Sequence, residues 1–165
     1  MPVALEYDGD ELPALVGMII ACFAAIEREL PGVIARVTGM TQQDTVMICA
    51  EFRAFSARLG ILEAVLKTRD DQSHDKIIFS HCKGLFNEAN KIRNKYAHAL
   101  FAKGHEMRML PYHHDWKAPD QWVDMGPEAR ADRKRIAVIL GELFAILHQK
   151  DLPQGLYDKL LPQDR

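Results

Sequence analysis

At 165 residues, 48% hydrophobic and 27% charged, the chain has the size and composition of a single globular domain, 1–165, able to bury its own core. A formal net charge of -2 excludes a uniformly basic nucleic-acid binder, and no run of 18 or more apolar residues offers a membrane span. Cys22, Cys49 and Cys82 are an odd, scattered set without metal-ligand spacing, which argues against a disulfide framework and for free thiols packed as small hydrophobes.

The opening Met1-Pro2-Val3-Ala4-Leu5-Glu6-Tyr7-Asp8 has neither the basic region nor the apolar stretch of a signal peptide, so a cytoplasmic protein is expected. From there helical periodicity dominates. Leu12, Val16, Ile19, Phe23, Ile26 and Leu30 recur at alternating steps of four and three, which predicts a helix from Glu11 to Leu30. Pro31-Gly32 interrupts it, Val33 to Val37 can extend it with a kink, and Gly39 suits a stop. Thr41 reads as an N-cap, with Asp44 imitating a capping box. The stripe Ile48, Phe52, Phe55, Leu59, Leu62 and Leu66 predicts one second helix over 43–68.

A short polar connection follows, which favours antiparallel neighbours. Ser73 can cap a third helix over 75–100, with the stripe Ile78, Cys82, Leu85, Ala89, Ile92, Tyr96 and Ala99. Between Lys103 and Pro127 the helical pattern stops. Gly104, Pro111, Pro119 and Gly126 punctuate a segment in which Glu106 to Tyr112 and Gln121 to Met125 form either a short β-hairpin or an irregular loop. Pro127 suits the first turn of a fourth helix, with Glu128 beside its positive end and the stripe Ile136, Leu140, Leu143 and Leu147. The expected fold class is all-α: a four-helix up-and-down bundle with an insertion between the third and fourth helices.

The face of the third helix opposite its apolar stripe is unusual. At about 100° per residue, Asn94 lies about 170° and His98 about 150° from the core direction. Asn87, Asn90 and Lys91 share that face, and Arg93 sits on its flank. By geometry the row reads first as a solvated helix face and second as a functional one; a solvated face usually alternates Glu with Lys and Asn is a poor helix former, which adds weight to the second reading.

The stretch Ala89-Asn90-Lys91-Ile92-Arg93-Asn94-Lys95-Tyr96-Ala97-His98 contains Arg-Asn-x-x-x-His late in a long helix. It resembles the motif of HEPN domains, which are helical bundles of about this size. The resemblance covers the motif closely and the helix order more loosely, from about residue 11 to residue 150. It implies an HEPN-like bundle and, in many members, a metal-independent endoribonuclease whose cleft forms where two protomers of a homodimer meet. Arg93, Asn94 and His98 are then the catalytic candidates. His98 titrates near neutrality and can take or give the proton of a ribose hydroxyl or leaving oxygen. Arg93 can hold the phosphate with a fork of donors. Asn94, one turn before His98, can orient the imidazole or bind a phosphate oxygen. Lys91 and Lys95 would attract the RNA backbone. Tyr96 falls in the apolar stripe and is assigned to the core.

The resemblance also implies a place as the toxin of a toxin–antitoxin pair, whose usual partner is a small nucleotidyltransferase acting as antitoxin. Other HEPN-like domains are non-catalytic regulatory or protein-interaction modules, which is the alternative reading. Neither a metal nor a cofactor is expected. His113-His114-Asp115 is the nearest approach to a metal cluster, but adjacent side chains on an extended strand point to opposite faces. The basic run Arg130-Ala131-Asp132-Arg133-Lys134-Arg135 reads as a solvated helix face or a second RNA contact.

Overall fold

A computed structural model of the chain describes residues 12–68, 74–97, 100–102, 108–110, 123–124 and 126–148. Its order is α1 (Leu12–Thr38), α2 (Gln42–Glu51), α3 (Phe55–Thr68), α4 (His74–Ala97), β1 (Leu100–Ala102), β2 (Arg108–Leu110), β3 (Val123–Asp124) and α5 (Gly126–His148). Helices hold nearly all the described residues, and the class is all-α in this sense.

α1 forms because one face is apolar along its whole length. Leu12, Leu15, Ile19, Phe23, Ile26, Leu30, Val33, Ile34 and Val37 are all buried. The helix runs through Pro31 to Thr38 rather than being interrupted there. Pro31 has no N–H to offer the carbonyl one turn earlier, and the buried residues on both sides hold the helix across that missing bond. The stop falls at Gly39, whose φ of 74° is the left-handed conformation that favours glycine, and its N–H donates to the Ala35 carbonyl at 2.8 Å.

Thr41 caps α2. Its hydroxyl oxygen accepts from the Asp44 N–H at 3.1 Å, and the hydroxyl donates to the Asp44 carboxylate at 2.7 Å. Asp44 therefore braces the cap through the hydroxyl. Thr45, buried, satisfies its own hydroxyl on the Thr41 and Gln42 carbonyls.

The single second helix expected over 43–68 is in fact two helices, so five helices stand among the described residues where four were expected. Phe52 leaves the helical conformation at φ -103°, ψ 107°, and its N–H closes α2 on the Cys49 carbonyl. Arg58 fixes the break. Its Nε donates to the Phe52 carbonyl at 2.6 Å while Nη1 pairs with Glu27 of α1 at 2.8 Å. The break changes the phase of the apolar stripe: Phe55, Leu59, Leu62 and Leu66 are buried, whereas Ile48 and Phe52 are exposed.

The chain divides into two compact units. One comprises Met1–Phe23 with Asn90–Val138, and its buried side chains include Leu15, Ile19, Ile92, Tyr96, Ala129 and Ile136. The other comprises Ala24–Ala89 with Ile139–Arg165. Its core includes Ile26, Leu30, Leu62, Cys82, Phe86, Ile139 and Leu143, with the Phe55 and Phe86 rings tilted against each other at a centroid distance of 6.1 Å. There Arg36 of α1 donates to the Ile146 carbonyl at 2.9 Å, satisfying one of the last free carbonyls of α5.

The three short strands pair antiparallel in the order β1-β2-β3, with Leu100 opposite Leu110 and Arg108 opposite Asp124. β2 and β3 lie within the stretches Glu106 to Tyr112 and Gln121 to Met125. Ser73, His98, Ala99, His113, His114 and Asp115 lie outside the described residues. Among the described residues no helix is long and apolar enough to cross a membrane.

Candidate functional site

The candidate site occupies the last two turns of α4. The helix turns Ile92 and Tyr96 inward, at 7% and 1% exposure, and this fixes where the polar residues between them go. Lys91 and Asn94 face outward and are exposed; Arg93 and Lys95 are half-buried.

Arg93 and Asn94 are brought together. Arg93 Nη1 donates to Asn94 Oδ1 at 2.9 Å. The guanidinium also lies 5.7 Å from the centroid of the Phe23 ring of α1, at cation–π distance. Two side chains that differ by one position on a helix do not face each other unaided. The long Arg93 side chain folds back over Phe23 to make the contact. The bond leaves the Asn94 amide nitrogen as a donor, and most of the guanidinium fork stays uncommitted to other described residues. His98, the third member of the candidate set, is one of the residues whose placement is not described.

Lys95 is engaged differently from Lys91. Its Nζ lies 2.6 Å from Glu128 Oε1 and 2.7 Å from Asp132 Oδ2, both on the first turns of α5. Burial alone would lower the Lys95 pKa, but bonds to Asp132 and Glu128 outweigh it and hold the pKa above its ordinary value. Its charge is thus compensated within the chain. Asp132 accepts a second bond at 2.7 Å from the hydroxyl of Tyr96. Burial first, then the bond to Asp132, pushes the Tyr96 phenol well above the ordinary tyrosine range, so it stays a donor. Tyr96 is therefore a core residue with one polar anchor, in line with its place in the apolar stripe.

Asp132 and Glu128 were not among the candidate residues. Asp132 was visible as the one acid of an otherwise basic run and Glu128 as an acid beside the positive end of the helix, but their partners lie more than thirty positions away on α4. Within that run Arg133 turns toward Met18, with Nη1 3.7 Å from the sulfur, while Arg130, Lys134 and Arg135 are exposed. Among the described residues no group of three or more His, Cys, Asp or Glu side chains could hold a metal ion.

Compared with protein-family models, with curated proteins and with solved structures, the chain matches none.

Proposed function

We propose that this chain is a metal-independent endoribonuclease of HEPN type, acting as a cytoplasmic homodimer on an HEPN-like four-helix up-and-down framework in which α2 and α3 together take the place of one helix. The observation that carries this reading is the Arg93–Asn94 pair, a guanidinium and an amide hydrogen-bonded at 2.9 Å in the turn before His98. A two-fold axis near that turn would bring the same patch together twice. Arg93 would hold the scissile phosphate and offset charge on the pentavalent transition state. The His98 of one copy would take the proton from the ribose 2′-hydroxyl as its oxygen attacks phosphorus. The His98 of the other copy would protonate the departing 5′-oxygen as the P–O5′ bond breaks. The products are a 2′,3′-cyclic phosphate and a free 5′-hydroxyl. Lys91, exposed on the same helix, would add attraction for the RNA backbone. Lys95 would join it only by leaving Glu128 and Asp132, so its first role is to anchor the motif helix. In this reading the chain is the toxin of a toxin–antitoxin pair with a nucleotidyltransferase antitoxin.

The internal pairing of Lys95, together with a net charge of -2, favours a second reading in which the domain is a non-catalytic regulatory or protein-interaction module. RNA cleavage in EDTA by the native chain, Arg93→Ala and His98→Ala, with end-group analysis, separates the two. The nuclease reading expects cyclic-phosphate ends from the native chain and a loss of 100-fold or more in each variant, on the order of one transition-state contact or one acid–base group. Diverse RNAs left equally intact by all three proteins would move the assignment to the interaction module.

A further inference from the structure

Arg93 to Tyr96 make up the turn that carries the candidate pair, and α5 grips it. At about 100° per residue, Tyr96 faces the core, Asn94 faces away from it, and Arg93 and Lys95 fall on opposite flanks. Each flank is tied to a different helix. The Arg93 guanidinium lies over Phe23 of α1, and the Lys95 ammonium reaches Glu128 and Asp132 of α5. Asp132 binds both sides of the grip. Its Oδ2 accepts from Lys95 Nζ and from the Tyr96 hydroxyl, each at 2.7 Å.

The grip falls where a helix is weakest. The last carbonyls of a helix lack partners within it, so its last turn opens more readily than its middle. Lys95 stands in the last turn of α4 and Glu128 in the first turn of α5. Each charge also suits its own helix end: the cation the negative end of α4, the anions the positive end of α5. The Asp132 side chain is 17% exposed against 48% for Glu128, so water weakens its bonds less. Its negative charge disfavours contact with a phosphate, and its bonds go to Lys95 and Tyr96 rather than to Arg93 or Asn94. An effect of Asp132 on RNA chemistry would therefore pass through the turn.

We propose that Asp132 is a positioning residue: it fixes the last turn of α4, so that the Arg93–Asn94 pair meets the scissile phosphate in one orientation. The proposal rests on the nuclease reading. It adds a residue outside the motif whose loss costs turnover rather than RNA affinity.

Steady-state RNA cleavage in EDTA by the full chain, Asp132→Ala, Asp132→Asn and Glu128→Gln tests it, with rates taken per folded molecule well below each melting temperature. A misplaced phosphate contact lowers turnover without weakening binding, so kcat should fall about tenfold or more in Asp132→Ala while KM stays within about twofold. Asp132→Asn keeps an oxygen for the Tyr96 hydroxyl and should recover part of that loss, which also serves if Asp132→Ala folds poorly. Glu128→Gln leaves Asp132 in place and should lose less than Asp132→Ala. Amide hydrogen exchange provides a readout that needs no activity: the amides of 93–97 should exchange about tenfold faster or more in Asp132→Ala, whereas those of α3 keep their native rates. A native kcat in Asp132→Ala overturns the proposal. So does a rise in KM alone, or tighter RNA binding at unchanged kcat, which would mean that Asp132 merely withholds Lys95 from the RNA. RNA left intact by the native chain sinks the nuclease reading instead. Faster exchange at 93–97 would then still support the hold of Asp132 on the turn, and native exchange there would overturn that as well.

Discussion

Asp132 decides what two neighbouring residues of α4 can do. It accepts from the Tyr96 hydroxyl and from the Lys95 ammonium, so it anchors a core side chain and occupies a cation that would otherwise face solvent. Removing only the hydroxyl, by Tyr96→Phe, deletes one half-buried bond and leaves Asp132 with Lys95. A loss of about 1 kcal/mol is expected at neutral pH. The same residues set the response to alkali. Tyr96 and Lys95 both bind their protons more tightly folded than unfolded, their ordinary values being 10.0 and 10.5. Their contribution is whole below pH 10 and is lost as pH rises through the folded values. Denaturant titrations from pH 8 to 12 should show stability declining above pH 10, with a shallower decline in Tyr96→Phe. An identical alkaline decline in both proteins would show that Tyr96 is not the group responsible.

At the scale of the elements, caps and breaks matter as much as stripes. α2 has ten residues and buries only Thr45 and Cys49, so its cap forms a large part of what holds it. Thr41→Ala should cost about 1 kcal/mol, seen as a lower melting temperature, whereas Thr41→Ser should restore most of it. Equal melting of Thr41→Ala and the native chain would mean that α2 is held by other contacts. The Thr41 cap and the Gly39 stop are both readable from residue type, because each depends on local backbone chemistry. The break between α2 and α3 is not. Ile48, Phe52 and Phe55 keep an unbroken helical period, no Gly or Pro marks the junction, and the device that stabilises the break is Arg58 reaching Glu27 on another helix. The stripe of α5 shows a related limit. Ile139 and Leu140 are adjacent, as are Ile146 and Leu147, so two phases fit the period. The structure buries Ile139 and Ile146 and leaves Leu140 and Leu147 only partly covered.

At the scale of the molecule, the candidate site was legible as a list of residues but not as a set of partnerships. The positions of Arg93 and Asn94 on α4 follow from the helical period, yet the Arg93 guanidinium also lies over Phe23 of α1, and the engagement of Lys95 depends on Glu128 and Asp132. Contacts between residues far apart in the chain have no local signature. The same distribution of burial has a consequence in time. The three thiols differ in what must move before a reagent can reach them. Cys22 is half-buried on α1 and should label at once. Cys49 is covered but sits on α2, which has few anchors, and should label through brief local openings that depend weakly on denaturant. Cys82 is fully covered, with burial raising its thiol to about 12, so it should wait for global unfolding and show the full denaturant dependence. Three labelling rates, read by mass spectrometry, would then separate the breathing of one helix from the unfolding of the whole chain, and a shared rate for Cys49 and Cys82 would show that the two open together.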